Sequence, residues 1–307
     1  MIQRLLPALS LAILFIGLSI ASPYFLTQTN LSSVVRQTAV INIMALGMTL
    51  VIIAGGIDLS VGAILAMGGL LGTMAMKHGY SIPAGVLVGI LTGLVWGFVN
   101  GLLTTRLAIA PFIVTLGTLG IVRGLALIIS NGLPVHEVPQ NFYYIGGGNL
   151  LGVPFVLWIL VICAIATHVV LEHTRLGRYA FAIGSNPEAA LYSGIPVAFH
   201  TTAVYAISGM LTGLAGMIEA SRLMTGQPTA GQGYELQVIA AVVIGGGSLR
   251  GGEGSVIGTL IGAFIMGLLS NGSDLLGISP YLQQAIIGAV IILAVTVDEL
   301  RKRKLAQ

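Results

Sequence analysis

Few residues in this sequence could do chemistry, and those that could are charged or amide side chains set in apolar surroundings. Asp58 follows a glycine pair in Gly55-Gly56-Ile57-Asp58-Leu59-Ser60, and Arg123 stands inside an apolar run. Glu219 and Arg222 lie three apart near the end of another apolar run. An ionisable group at membrane depth must be paired, hydrated or functional. Asp58 reads first as a cap on the following helix and second as a solute or proton site. Arg123 either hydrogen-bonds solute hydroxyls in a wet path or ties neighbouring helices together. Glu219 and Arg222 share a helix face, so they either pair with each other or meet a partner outside the membrane. Asn42, Asn100 and Thr115 join Asp58 and Arg123 as path candidates, with bonding to helix backbone as the alternative role.

Several chemistries are missing. No Ser-His-Asp or Cys-His arrangement is visible, so no catalytic residue is assigned. The five histidines, His78, His136, His168, His173 and His200, lack metal-ligand spacing. Cys163 is the single cysteine, which excludes an internal disulfide and any cysteine-based metal site. No G-x-x-x-x-G-K-[ST] phosphate loop occurs, so ATP has no usual binding motif here. The net charge of +3 is small and points to no nucleic-acid partner.

The elements that position these residues follow from composition. Of 307 residues, 56% are hydrophobic and only 7% charged. Soluble domains carry about 25% charged residues, so lipid is the main solvent. A hydrocarbon core of about 30 Å takes about 20 apolar residues per helix. Ten spans result, near 5–21, 37–54, 61–76, 82–103, 112–130, 154–170, 199–220, 236–246, 255–270 and 281–297. The eighth is short and expected to start earlier or to be broken. The first follows Arg4 and runs into Ser-Pro-Tyr without a cleavage pattern, so it reads as a retained helix. With the N-terminus inside, Arg4, Arg106, Arg175, Arg178, Arg250 and the run Arg301-Lys302-Arg303-Lys304 share the cytoplasmic side. Both termini are then cytoplasmic. Glycines four apart (Gly93, Gly97 and Gly101; Gly209 and Gly213; Gly258 and Gly262) are spaced for close helix packing.

The longest polar stretch, residues 172–196 on the cytoplasmic side, contains a complete short-helix signal. Asn186 suits the N-cap, Pro187 the first helical position and Glu188 the positive helix end; Gly194 and Pro196 stop it. About two turns of helix are marginal alone and need a surface, either on the chain's own bundle or on a partner.

Nearly the whole chain resembles the permease subunits of ribose-type ATP-binding-cassette importers, the ribose, xylose, galactose and autoinducer-2 class. The resemblance is carried by Gly47-Met48-Thr49 with Gly55 to Gly62, by Thr174-Arg175-Leu176-Gly177-Arg178-Tyr179 with Gly184-x-Asn186, by Gln227-Pro228-Thr229-Ala230-Gly231-x-Gly233-Tyr234-Glu235-Leu236, and by Gly258 to Ala263. It implies an all-α, type II-like permease of about ten spans forming one domain over 1–307, with a coupling loop at 172–198 and a cytoplasmic tail at 298–307. It implies that Glu188, Ala189, Ala190 and Gly194, with Asn186 and Pro187, form a coupling helix on an ATPase subunit, flanked by Arg175 and Arg178. The loop from Gly245 to Gly254, with Arg250, either adds contacts or acts as a hinge.

The resemblance further implies a second permease subunit, identical or homologous, and a periplasmic or lipid-anchored solute-binding protein, contact with which is the alternative to mutual pairing for Glu219 and Arg222. No cofactor is expected on this chain, with ATP and Mg on the partner ATPase. The expected location is the bacterial inner membrane, and the expected solute is ribose or a related monosaccharide. The rivals are a proton-coupled secondary sugar transporter using Asp58, Glu219 and Arg123, a passive channel, and a membrane-embedded enzyme. The cytoplasmic helix signal favours the ATP-driven reading.

Overall fold

A computed structural model describes the backbone of residues 2–305 and the side chains of residues 6–293, 295 and 296. The side chains of the basic anchors Arg4 and Arg301 to Lys304, and of the rest of the tail 298–307, lie outside the described set. Among the described residues the regular structure is helical apart from one two-stranded antiparallel hairpin, with turns and loops between the elements. In order, the elements are α1 Ile2–Ala21, α2 Gln28–Ile53, α3 Val61–Lys77, α4 Ile82–Arg106 and α5 Pro111–Ser130. A 3-10 turn Gln140–Phe142, α6 Tyr143–Gly147, β1 Asn149–Leu150 and β2 Val153–Pro154 follow. Then come α7 Phe155–His173, α8 Arg175–Ser185, α9 Pro187–Tyr192, α10 Val197–Leu223, α11 Tyr234–Ile244, α12 Val256–Leu275 and α13 Pro280–Leu305.

Each of the ten expected spans falls on a helix. Among the described residues, six helices (α2, α4, α5, α7, α10 and α12) are long and apolar enough to cross a membrane; α1, α3, α11 and α13 carry shorter apolar stretches. The chain is therefore a multi-pass, all-α membrane protein. Two boundaries differ clearly from expectation: α13 continues to Leu305 where the apolar pattern stops near 297, and α2 starts early. Helix α2 begins nine positions earlier than the apolar pattern indicates, because Thr27 caps it and Asn30 finds partners in Phe25 O at 2.9 Å and Asn271. Polar residues with internal partners extend a membrane helix that hydropathy alone would shorten.

Helices α2 and α10 form the centre, and α2 is buried almost without a break from Thr38 to Ile53. The most extensive packing is between α4 and α10, and it is made by small residues. The buried face of α4 is Gly85, Gly89, Gly93, Gly97, Gly101 and Asn100, while Leu87, Leu91, Val95 and Phe98 point outward. A Cβ on Gly93 would strike Gly209 O, and one on Gly97 would strike Tyr205 O, so the backbones touch. Lipid gives helices no hydrophobic reason to associate, so close van der Waals approach must supply it.

Contacts between distant segments follow one alternating order of spans. At one end, Lys77 pairs with Glu137 at 3.2 Å, Arg36 Nη2 donates to Asn149 Oδ1 at 2.8 Å, and Val135 bridges to Gly226. At the other end, Gly252 N donates to Ile53 O at 2.9 Å and Thr115 Oγ1 donates to Ile57 O at 3.2 Å.

Candidate coupling surface and translocation path

The polar stretch after α7 folds into two helices rather than one. Thr174 opens α8 by accepting from Gly177 N at 3.4 Å. Its apolar face, with Gly177, Ala180, Ile183 and Gly184, is buried, whereas Arg175 and Arg178 are exposed. Tyr179 meets His200 of α10 edge to face, with ring centroids 4.7 Å apart. Helix α8 is thus a platform lying against α7, α10 and α2.

Helix α9 stands on that platform with both ends closed. Asn186 is extended, and its Oδ1 accepts from Ala189 N at 3.0 Å, with Pro187 at the first helical position. At the far end Gly194 adopts φ +80°, Gly194 N donates to Leu191 O at 3.0 Å, and Ile195 N donates to Ala190 O at 3.1 Å. That is the Schellman pattern, which a residue in left-handed conformation makes possible. Ala190 is the buried contact, while Pro187, Glu188 and Ala189 are exposed. Sequence reasoning missed Leu191 and Tyr192, which present 60% and 88% of their surface beside Glu188. A large apolar pair inside a polar loop was the available signal.

The second loop is packed rather than loose. Gly251 lies against Gly184 and Gly55, and Gly184 abuts Ile53 O and Gly252 N. The end of α8, the end of α2 and the α11–α12 loop therefore meet backbone to backbone. Arg250 is exposed on this loop, and its N–H donates to Ser248 Oγ at 3.2 Å.

The path candidates are mostly interior. Asp58 is fully buried, and its Oδ1 accepts from Ser60 N at 2.8 Å and from Ser60 Oγ. Asn100 Nδ2 donates to Ser60 Oγ at 2.8 Å, which ties α4 to the α2–α3 turn. Asn42 donates to Thr38 O at 2.9 Å within α2, and Thr115 also donates to Pro111 O at 2.9 Å within α5. All four are buried. Arg123 is half-buried; its Nη1 donates to Pro228 O at 2.7 Å and Ala230 O at 2.8 Å. It thereby holds the segment between α10 and α11 against α5. Glu219 and Arg222 form a bidentate pair, with contacts of 2.8 to 3.2 Å. Asp58, Arg123 and Glu219 each bond to a different partner and, among the described residues, are not joined in a chain.

Comparison with known proteins agrees with this architecture. Residues 30–295 match the family described as branched-chain amino acid transport system / permease component. The chain belongs to this permease family. The ribose import permease of Bacillus subtilis (strain 168) is 47% identical over 298 residues, covering 96% of this chain and 92% of the relative. The ribose import permease of Escherichia coli (strain K12) is 44% identical over 294 residues, covering 94% and 92%. The L-arabinose transport system permease of Escherichia coli (strain K12) is 39% identical over 292 residues, covering 95% and 89%. No solved structure matches the chain. The permease is thus a transport subunit of the ribose-type ATP-binding-cassette importers rather than an enzyme, and ATP hydrolysis belongs to a separate subunit.

Proposed function

We propose that this permease carries ribose, or a monosaccharide close to it, across the bacterial inner membrane on ATP hydrolysed by a separate ATPase subunit. The observation that carries the coupling half is α9, a helix closed at both ends whose outer side offers Glu188, Leu191 and Tyr192 to a partner. Six residues of helix are marginal alone, and closure at both ends holds α9 in a fixed shape that a partner can use. The likeness to ribose import permeases over more than nine-tenths of the chain supports the solute class.

In this reading α9 sits in a groove of the ATPase, with Arg175, Arg178 and Arg250 near its rim. The permease spans the membrane about ten times with both termini cytoplasmic, and α1, α3, α11 and α13 complete the six longer spans. It works beside a second permease subunit, identical or homologous. A periplasmic or lipid-anchored binding protein delivers the sugar from outside, near Glu219 and Arg222. A closing ATPase pair pulls α9, and the backbone contacts among Gly184, Ile53 and Gly252 transmit the pull to α2 and the α11–α12 loop.

Proton coupling is less well supported, since Asp58, Arg123 and Glu219 bond locally and form no relay. The test is gentle purification of the tagged chain from native membranes. An ATPase bearing a phosphate-loop motif should come with it and be lost from a Tyr192→Asp variant. A folded chain that reproducibly purifies alone, with uptake abolished by an uncoupler, would overturn the reading.

A further inference from the structure

The segment between α10 and α11 is not helical, yet it lies at membrane depth. Helix α3 measures that depth. Lys77 at its outer end is exposed and paired with Glu137, so it marks the interface. Gly226 abuts Gly69 and Thr73 of α3, whereas Gly231 abuts Gly62. At 1.5 Å per residue, Gly62 lies roughly 22 Å below Lys77. The chain from Gly226 to Gly231 therefore descends past the middle of a hydrocarbon core about 30 Å thick. Helix α11 starts only there and is a half-length helix of 11 residues.

Irregular backbone at such depth is tolerated only where protein buries it or where it borders water. One side of this segment is buried. Arg123 satisfies the Pro228 and Ala230 carbonyls, Ala230 N donates to Gln227 O, and Pro228 and Gly231 are enclosed. The other side is open, and it is polar. Gln227, Thr229 and Gln232 are all exposed, and none makes a side-chain hydrogen bond among the described residues. Two amides and a hydroxyl cannot face acyl chains without losing their hydrogen bonds, a cost of about 1–3 kcal/mol each. The lipid-facing surfaces of α4 and α7 show the contrast, with Phe98, Ile162 and Ile165 exposed in their place.

We infer that Gln227, Thr229 and Gln232 line the water-filled translocation path and hydrogen-bond the hydroxyls of the passing sugar. Amides donate and accept at once, as hydroxyls do, so they match a neutral polyol without charge. Because the three residues sit on one strap spanning the outer and middle depth, a sugar can pass from one to the next. Arg123 serves as the positioning residue that fixes the strap from behind. The inference rests on the importer reading for its solute but on geometry for its aqueous face.

The test uses the assembled transporter in membrane vesicles. Cys163 is the single native cysteine and is buried, so Cys163→Ser supplies a cysteine-free background. Gln227→Cys, Thr229→Cys and Gln232→Cys are each treated with a membrane-impermeant methanethiosulfonate, with Ile165→Cys as the lipid-facing control. Labelling at least tenfold faster than the control is expected. A Gln227→Leu/Gln232→Leu variant should lose at least fivefold in ribose uptake while still co-purifying with its ATPase. Thr229→Cys is the smallest change and keeps the labelling test open if the amide variants fold poorly. Labelling no faster than at Ile165→Cys, as a lipid or subunit interface would give, overturns the inference, and so does undiminished uptake by the double variant. Failure of the importer reading shows separately, as a chain that purifies without an ATPase.

Discussion

Gly194→Ala is a sharp test of α9, because its effect must be conformational. No atom lies within 4 Å of a Cβ added at Gly194, so the methyl group clashes with nothing. The residue nevertheless holds φ +80°, where an L side chain crowds its own carbonyl at roughly 1–2 kcal/mol. That cost falls on a helix of six residues whose last bonds, Gly194 N to Leu191 O and Ile195 N to Ala190 O, need this geometry. A shift of that size lowers the ratio of closed to open α9 about 5- to 30-fold. In proteoliposomes containing the ATPase and binding protein, Gly194→Ala should cut sugar uptake per ATP hydrolysed, by at most that factor. The amount of permease in the membrane should not change. Gly194→Asn should keep most coupling, because Asn visits the left-handed region readily. Wild-type coupling in Gly194→Ala, or equal losses in the Ala and Asn variants, would refute the argument that backbone shape at this position sets the coupling helix.

Three further outcomes follow from the packing. Gly93→Leu cannot be accommodated against Gly209 O, so the variant should fail to accumulate as a folded species, seen as loss of the monodisperse peak in detergent chromatography. Arg123→Leu orphans the Pro228 and Ala230 carbonyls inside the membrane at about 1–3 kcal/mol apiece; it should lower the thermal unfolding midpoint and uptake together, and a midpoint equal to wild type would contradict the tie. Tyr192→Asp sits on an 88% exposed side chain, so it should leave folding untouched and reduce ATPase co-purification at least tenfold; unchanged recovery would remove Tyr192 from the docking surface.

The sequence by itself determined whatever depends on neighbours in the chain. Each expected span lands on a helix because a bilayer leaves an apolar backbone few alternatives. The short cytoplasmic helix was legible from Asn186, Pro187, Glu188 and Gly194, because capping is decided within a few residues. The pairing of Glu219 with Arg222 was legible for the same reason.

Only the tertiary structure decided what spans long separations. It set Arg123 on carbonyls more than 100 residues away, and it brought Gly93 against Gly209 rather than against lipid. It buried Asp58 behind Ser60 and Asn100, and it joined Gly184, Ile53 and Gly252. Above all it laid residues 226 to 231 along α3, a placement that Gln227-Pro228-Thr229-Ala230 does not indicate in the sequence beyond its share in the family resemblance. A glycine or an arginine in an apolar run states that something must approach or pair with it. Which partner does so follows from the joint packing of the helices, and no local pattern encodes it.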